Sequence, residues 1–501
     1  MFVRRKKNRS GSVSIQIIKK INRVNKVIKS IGSSKDPDEI DRLYHKGLYE
    51  LPRLFGATLF DHIHEPDISE LSNDNIRVVG PELVFGKIFH HIGFSVLNDP
   101  MFKDLSISRI THPGSKLQLS KYFRENNKKD ISEDRIYYFM DRLNSKYKDQ
   151  VEEISFRYTK KVLGGSIGIV FYDMTTIYFE SDHSDEFRET GFSKEGKHQH
   201  PQIYLGLLVG KNGYPVGYDL FEGSIYEGHT LIPVLERFEK RFSLQKPIVV
   251  ADAGLLSSDN IEALIAKQYS FILGARIKNE SAKVKKQILQ LGLSDGQIEK
   301  IAKQDTTSLF ISYSQKRASK DAYNREKGLK RLEKSLKAGR LTKSNINNRG
   351  YNKYLKLEGE VKIQIDYQKF ESDQTWDGLK GYITNTNLTG SEVVESYNNL
   401  WLIEKAFRIS KTDLKIRPIY HRLRERIEAH ICISFVSYLI FKEFERALKE
   451  NAINISVNQA IKQINKMHEV IFQYSNGNNR RVLLKNNPTQ ELIMKAINDN
   501  F

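Results

Sequence analysis

Three carboxylates in this sequence have the surroundings expected of a catalytic site. Asp173 lies near the middle of the β-prone run SIGIVFYDMTTIYFE, and Asp252 follows the apolar strand in KPIVVADAG. Glu404 lies on a predicted helix that begins at Ser391, a residue that can cap it, and continues to Lys411. If the two strands are neighbours and the helix closes their sheet, the three side chains meet at one edge of the sheet.

Carboxylates that meet in this way need a counter-charge. Two of them about 4 Å apart repel by about 4 kcal/mol at an effective dielectric constant of about 20. Oxygen ligands without cysteine or clustered histidine favour Mg²⁺ or Mn²⁺ over zinc. Two such ions, about 3.5–4 Å apart, activate a water or a 3′-hydroxyl and stabilise the leaving oxygen of a phosphodiester. Lys411 and Arg408 would then hold the phosphate.

The helix that carries Glu404 has two possible orientations. Its spacing predicts a buried stripe, formed in order by Val393, Tyr397, Leu400, Glu404, Phe407 and Lys411. A glutamate on such a stripe must be paired, hydrogen-bonded or bound to metal. The alternative is an exposed Glu404–Arg408 pair worth about 0.3–0.5 kcal/mol, with Leu402 and Ile403 facing the core. We expect Trp401 to be a core residue rather than a base-stacking one.

Composition narrows the class of protein. The 501 residues carry a formal net charge of +19, which is typical of a protein that binds a polyanion such as nucleic acid. The single cysteine, Cys432, excludes a disulfide framework and a multi-cysteine zinc site, and it suits a reduced intracellular compartment. The longest apolar run, ICISFVSYLIF, is far shorter than the roughly 20 residues of a membrane-spanning helix. We therefore expect no membrane association.

The predicted elements indicate an α/β core with additions. In the core, three antiparallel strands are followed by strands parallel to the first, which is the ribonuclease-H-like order. Residues 76–163 are mainly helical and suit either DNA binding or simple packing. The predicted regions are 1–75, an N-terminal region of uncertain role; 76–163, a helical DNA-binding region; 164–275, the first part of the core; 276–376, a basic insertion; 377–450, the closing helix of the core and the helix after it; and 451–501, a helical tail.

The insertion is the most basic part of the chain. Residues 316–356 hold fourteen Lys and Arg against three Asp and Glu. The segment KRASKDAYNREKGLKRLEKSLKAG has no continuous apolar face and reads as an exposed basic helix. It is either a solvated run of charge or an arm that contacts DNA phosphates through residues such as Lys330 and Arg331, which would gain from counterion release.

Several of these motifs resemble those of the DDE transposases of bacterial insertion sequences. The similar branch is defined by the signature Tyr-x2-Arg-x3-Glu-x6-Lys, which Tyr397, Glu404 and Lys411 match in spacing. Leu400 replaces the signature arginine, and Arg408, one turn after Glu404, could supply that charge. The segments YDMTTIYFES, VVADAG and LWLIEKAFRISKTDLKIRPIYHRLRERIEAHI carry the resemblance, which covers about residues 75–450.

The resemblance implies a function for these residues. It implies a ribonuclease-H-like core with a β-rich insertion before the catalytic glutamate, in which Asp173, Asp252 and Glu404 hold two Mg²⁺ or Mn²⁺ ions. Tyr397, Lys411 and Arg408 would grip double-stranded DNA at the terminal inverted repeats of the element. A DNA-bound homodimer would cut these ends and join them to target DNA in the bacterial cytoplasm, at the nucleoid. The alternatives are a structure-selective nuclease on the same fold and a DNA-binding remnant without activity.

Overall fold

The computed structural model describes residues 1–501 except 22–23, 56–71, 182, 194–195, 243–244, 305, 348–349, 359–361 and 474–478. The chain divides into two compact units. The first unit contains Met1–Val151, Asp413–Lys415 and His421–Phe501, and the second unit contains Glu152–Thr412 and Ile416–Tyr420.

The N-terminal part of the first unit is a small antiparallel sheet followed by helices. The sheet has the order β1-β2-β3, and the side chains of Asp99, Ser115 and Ser132 cap the helices that follow them. The mainly helical structure predicted for residues 76–163 is confirmed. The elements are β1 (Phe2–Lys7), β2 (Val13–Ile21), β3 (Val24–Ser34), α1 (Pro37–Phe55), β4 (Ile76–Val78), α2 (Gly80–Ile92), α3 (Pro100–Thr111), α4 (Lys116–Asn126) and α5 (Glu133–Arg142).

The second unit contains a mixed eight-stranded sheet with the order β10-β11-β14-β9-β8-β5-β6-β7. Its elements are α6 (Lys148–Val162, from Glu152 onward), β5 (Ile169–Tyr178), β6 (Gln202–Val209), β7 (Pro215–Glu222), α7 (Leu231–Phe242), β8 (Ile248–Ala251), α8 (Ser258–Ala266), β9 (Phe271–Ala275), α9 (Ala282–Gln290), β10 (Ile298–Gln304), β11 (Thr307–Tyr313), α10 (Gln315–Lys337), β12 (Leu355–Glu358), β13 (Lys362–Ile365), α11 (Tyr367–Ser372), β14 (Leu379–Thr384), α12 (Gly390–Asn398) and α13 (Trp401–Arg408).

The central strands of this sheet have the directions that the sequence predicts. Strands β5, β6 and β7 pair antiparallel, and β8 and β9 are added parallel to β5. The sequence did not predict the strands at the β10 edge of this sheet. Strands β10 and β11, which lie inside the predicted insertion, extend the same sheet through β14. The insertion therefore contributes two strands to the sheet as well as a separate basic segment.

The sheet is covered on both faces. Tyr172 of β5 and Ala251 of β8 belong to a hydrophobic cluster with buried side chains of α7 and α8. Helix α13 packs against β5 and β6, and α12 packs against β8, β9 and β14. Their buried side chains, such as Val393 and Ile403, lie outside that cluster. Since side chains alternate along a strand, residues that neighbour Tyr172 and Ala251 point toward the α12–α13 face.

Helix α10 corrects the prediction of a basic helix without an apolar face. Leu332 is buried in a small cluster with Tyr354, Leu355, Ile365 and Phe370, and Leu329 and Leu336 pack against it. The spacing of Leu329, Leu332 and Leu336 gives one apolar stripe over the β12–β13 hairpin. The stripe was hidden in the sequence because Lys and Arg surround each leucine. Lys330 and Arg331 are exposed, as predicted.

The C-terminal part of the first unit is built around one long buried helix. Its elements are α14 (Arg424–Glu450), α15 (Val457–Ile464), β15 (His468–Gln473), β16 (Asn479–Leu483) and α16 (Pro488–Asn500). Helix α14 packs against α2, α3, α5 and α16. It buries Cys432, and also His430, whose Nδ1 is 3.0 Å from Arg109 Nη2. In the described part of the chain, no helix is long and apolar enough to cross a membrane.

The prediction that residues 451–501 form a helical tail is wrong at β15 and β16. The segment HEVIFQ forms β15, which pairs antiparallel with both β16 and β4. Its valine, isoleucine and phenylalanine favour a strand, and two pairing partners supply the backbone hydrogen bonds. One of those partners, β4, lies nearly four hundred residues earlier, so no local pattern could reveal it.

Candidate active site

Asp173 and Asp252 lie at the same level on neighbouring strands. Strands β5 and β8 are parallel, and Tyr172 is opposite Ala251 in their register. The two aspartates are the next residues in each chain segment, and adjacent strands lie about 4.8 Å apart. Asp173 is half-buried and Asp252 is exposed. The prediction that the strand containing Asp173 and the strand ending just before Asp252 are neighbours is confirmed.

Local hydrogen bonds orient one oxygen of each aspartate. Asp173 Oδ1 accepts a hydrogen bond from its neighbouring backbone amide, Met174 N, at 2.7 Å. Asp252 Oδ1 accepts one from Gly254 N at 2.7 Å, in the turn that leads to α8. Asp252 Oδ2 has no hydrogen bond or ion pair within the described residues. The turn therefore leaves one oxygen of Asp252 available to a ligand.

Glu404 is exposed, so the predicted buried stripe is wrong at this position. The 391–411 segment is two helices, and Asn399 and Leu400 join them. Leu402 N and Ile403 N donate to the carbonyls three residues before them, Asn399 O and Leu400 O, which tightens the chain to a 3₁₀ turn. The buried position after Leu400 is therefore Ile403, three residues later, and Glu404 faces outward.

The alternative orientation is confirmed only in part. Leu402 and Ile403 are buried, as that alternative requires. The Glu404–Arg408 pair does not form, and within the residues that the structure describes the side chain of Glu404 has no hydrogen bond or ion pair. Trp401 is 52 % exposed, so its assignment to the core is wrong. The 3₁₀ turn at Leu400 rotates the helix that follows it, so all of these side chains differ from the prediction for one reason.

Tyr397 links the acidic residues. It is buried, and its ring packs against that of Tyr382 with 5.0 Å between the centroids. Its hydroxyl lies so close to Gly274 of β9 that a Cβ at that position would collide with it. Burial raises the pKa of Tyr397, and the charges of Asp252 and Glu404 raise it further. Both carboxylates are therefore within electrostatic reach of this one phenol, on the α12–α13 face of the sheet.

The acidic groups around Tyr397 do not form a closed cluster. Among the described residues, no three His, Cys, Asp or Glu side chains are already arranged to hold a metal ion. The donors nevertheless fit a divalent cation, because Asp252 Oδ2 and both oxygens of Glu404 have no protein partner in the described chain. Donors that are all oxygen suit Mg²⁺ or Mn²⁺. Asp173 neighbours Asp252, because each directly follows one residue of the Tyr172–Ala251 pair.

The predicted basic residues fall into two groups. Arg408 ends α13 and is exposed, and Lys411 is half-buried in the following π-helical turn, with its Nζ 5.9 Å from the centroid of the Phe407 ring. Lys330 lies thirteen residues after Arg317 on α10, which places it about 20 Å farther along the helix. Because the charge of Arg317 reaches Tyr397, the structure separates Lys330 and Arg331 from the carboxylates.

Two basic residues near the carboxylates were not predicted. Lys380 of β14 lies with its Nζ 4.3 Å from the centroid of the Tyr397 ring. Burial lowers the pKa of Lys380 to about 8, Arg317 lowers it as well, and Glu404 opposes the shift. A lysine inside a strand with buried neighbours was a usable signal, since a half-buried cation needs a partner. Arg317 gave none, because it lies in a run of exposed charges.

A family model described as "Transposase DDE domain" matches residues 164–440, more than half of the chain. The matched region contains Asp173, Asp252 and Glu404. The chain therefore belongs to the DDE transposase family. Among solved structures, the chain is similar to the piggyBac transposase in a synaptic complex with hairpin DNA, at 9% identity over 80% of each chain and a TM-score of 0.39. No curated protein matches it.

Proposed function

We propose that this DDE transposase cuts DNA at the ends of a mobile element and joins those ends to target DNA. Its core would be ribonuclease-H-like, of the branch with the Tyr-Arg-Glu-Lys signature. The observation that carries the proposal is the β5–β8 register, which brings Asp173 and Asp252 to one level. We infer that Glu404 on α13 completes the site, because its charge and that of Asp252 both raise the pKa of Tyr397.

The three carboxylates would hold two Mg²⁺ or Mn²⁺ ions. Ions bound there would supply activation of a water or a 3′-hydroxyl and stabilisation of the leaving oxygen. The protein's own part is to present oxygen ligands at fixed positions. Asp252 is oriented by the Gly254 amide, and Glu404 is carried on a helix anchored by the fully buried Ile403.

The phosphate of the reacting strand would be held by groups beside the carboxylates. The raised pKa of Tyr397 keeps its hydroxyl protonated, so that it can donate a hydrogen bond to a phosphate oxygen. Arg408 is exposed and has no ion pair among the described residues, so its guanidinium is available to an anion. Lys411 is the third candidate, two turns beyond Glu404.

Double-stranded DNA is the proposed partner. The net charge of +19 and the exposed Lys330 and Arg331 on α10 favour a sequence-independent attraction to phosphates. In this proposal, Lys330 and Arg331 contact the DNA at a point distant from the reacting phosphate. The terminal inverted repeats bind at the edge of the sheet that carries the carboxylates. A homodimer that pairs two element ends is part of the same proposal.

A joining assay tests this function. The purified chain is incubated with duplexes made from the DNA that flanks its coding sequence and with a target plasmid, in Mg²⁺ or in EDTA. We expect joined product in Mg²⁺ alone, because both strand cleavage and joining need the divalent ions.

The other outcomes identify the rival functions. Cleavage without any joining, even from pre-cut ends, would make the chain a structure-selective nuclease. Binding that is indifferent to Mg²⁺ and leads to neither product would make it a DNA-binding remnant.

A further inference from the structure

Two cations from distant parts of the sequence meet beside the proposed active site. Lys380 lies on β14, and Arg317 lies in the first turn of α10. Both side chains line one cleft, and the charge of Arg317 contributes to the lowered pKa of Lys380, so the two cations repel each other. A fold gains nothing from this repulsion, and an anion between the two groups would relieve it.

Aromatic rings fix the position of Lys380. Its Nζ is 4.3 Å from the centroid of the Tyr397 ring and 5.5 Å from that of Tyr382. Such cation–π contacts hold the side chain without neutralising its charge. In the described part of the chain, the side chain of Lys380 has no hydrogen bond and no ion pair. The carboxylate whose charge reaches it is Glu404, which the proposed function assigns to a metal ion.

Arg317 is only weakly engaged. Its Nε is 3.5 Å from Asp321 Oδ2, one turn farther along α10, and its side chain is 48 % exposed. An exposed ion pair of this spacing is weak, so a phosphate could displace Asp321 at little cost. Arg317 is therefore able to turn toward an anion that Lys380 already faces.

A cleft of about 700 Å³ gives this pair room for a ligand, and both Lys380 and Arg317 line it. The other carboxylates of the cleft already have cationic partners. Asp373 accepts from Lys278 at 3.1 Å and also contacts Lys353. Asp377 is paired with Arg325. Among the cations that line the cleft, those without a strong carboxylate partner in the described chain are Lys380, the weakly paired Arg317 and the exposed Arg276.

We propose that Lys380 and Arg317 together bind a backbone phosphate of the DNA strand next to the phosphate that reacts. This inference rests on the proposed function, because it places the same DNA in the cleft. Two cations on different elements would hold one phosphate from two sides, with Lys380 as a fixed point and Arg317 as an adjustable one. Their role is to position the strand, and the chemistry remains with the carboxylates.

The variants that test this pair preserve the packing. Lys380→Met keeps an unbranched stem over Tyr397 and Tyr382 but removes the charge, and Lys380→Arg restores a cation. Arg317→Gln removes the second charge. The matched control is Lys362→Met, because Lys362 is in the same insertion, its side chain is 75% exposed and it loses the same charge.

Binding is measured in EDTA with the duplex that flanks the coding sequence, over a range of salt concentrations. Each phosphate contact contributes about 0.9 to the slope of log K against log salt. We expect Lys380→Met and Arg317→Gln each to weaken binding and to reduce this slope, by about 1 for the double variant if they share one phosphate. Lys380→Arg and Lys362→Met should keep the wild-type slope.

A second measurement locates the contact. Neutral methylphosphonates are placed one at a time along the duplex. One position should weaken binding by the wild type yet have no further effect on Lys380→Met or Arg317→Gln. Wild-type slopes in both variants, or equal losses at every position in all proteins, would overturn the proposal.

The outcome for this pair can be separated from the outcome for the proposed function. Binding in EDTA needs no chemistry, so the slope and the methylphosphonate position can be read even if the wild type joins no DNA. Active wild type together with unchanged slopes would remove the role of Lys380 and Arg317 alone. A wild-type chain that binds no duplex would overturn both.

Discussion

Replacing Asp173, Asp252 or Glu404 by its amide is expected to reduce strand cleavage and joining on the order of 10³-fold or more, because in the proposed function the three carboxylates act as one unit. The amides are close in size to the carboxylates, so packing is preserved while a negative oxygen ligand is lost. DNA binding in EDTA should be retained, because the lost charges are negative. Product formation is measured with Asp173→Asn, Asp252→Asn and Glu404→Gln under the same Mg²⁺ conditions.

The matched control for these variants is Glu262→Gln. Glu262 is an exposed carboxylate on α8 in the same unit, and its replacement should leave product formation within about twofold of wild type, as expected of a surface position. Near-wild-type cleavage by any one of the three amide variants would remove that residue from the catalytic set. Loss of folding, checked by circular dichroism, would shift the test to Asp→Glu and Glu→Asp variants, which keep the charge and should retain partial activity.

Ile403→Ala is expected to destabilise the second unit by about 2–5 kcal/mol. Ile403 is fully buried next to Glu404 and anchors α13 against β5 and β6. The alanine would leave a cavity that the rigid sheet cannot fill, and Glu404 would lose its fixed position. Both tryptophans of the chain, Trp376 and Trp401, lie in the second unit, so their fluorescence follows the urea unfolding of that unit specifically.

Two further variants calibrate the effect of Ile403→Ala. Ile403→Val removes one methyl group and should cost about 0.5–1.5 kcal/mol. Leu289→Ala, at a position that is 41% exposed on α9, should cost less than either, because little apolar surface is lost there. A midpoint for Ile403→Ala equal to that of wild type would show that α13 does not depend on this contact.

Much of the central sheet was predictable because each of its strands has a recognisable local sequence pattern. The runs around Asp173 and Asp252 are apolar and β-prone, and helical patterns separate the later strands, which forces parallel additions. The strand directions followed from those connections. The positions of the two aspartates then followed from the register, since both come directly after paired residues.

The closing helix shows where the sequence pattern was insufficient. A continuous periodicity suggested one helix, but the polar pair Asn398 and Asn399 allows a tighter turn before Leu400. A single step of three instead of four rotates every later side chain. That rotation exposed Glu404 and Trp401 and buried Ile403, and it is set by packing on the sheet rather than by local propensity.

Long-range pairing explains the other errors. Strands β10 and β11 join the sheet through β14, which lies more than sixty residues later in the chain. Lys380 of β14 was missed for the same reason, because its neighbours Arg317 and Tyr397 come from α10 and α12. Such contacts have no signature at any fixed spacing.

The central claim is that the three carboxylates bind the ions that support the reaction, and Asp252→Cys tests it most directly. Mg²⁺ strongly prefers oxygen ligands, whereas Mn²⁺ accepts a thiolate more readily. We predict that Asp252→Cys is inactive in Mg²⁺ and regains measurable joining in Mn²⁺, while Asp252→Ala stays inactive in both. Equal activity of Asp252→Cys in the two metals, or equal recovery of Asp252→Ala in Mn²⁺, would contradict a direct role of Asp252 as a metal ligand.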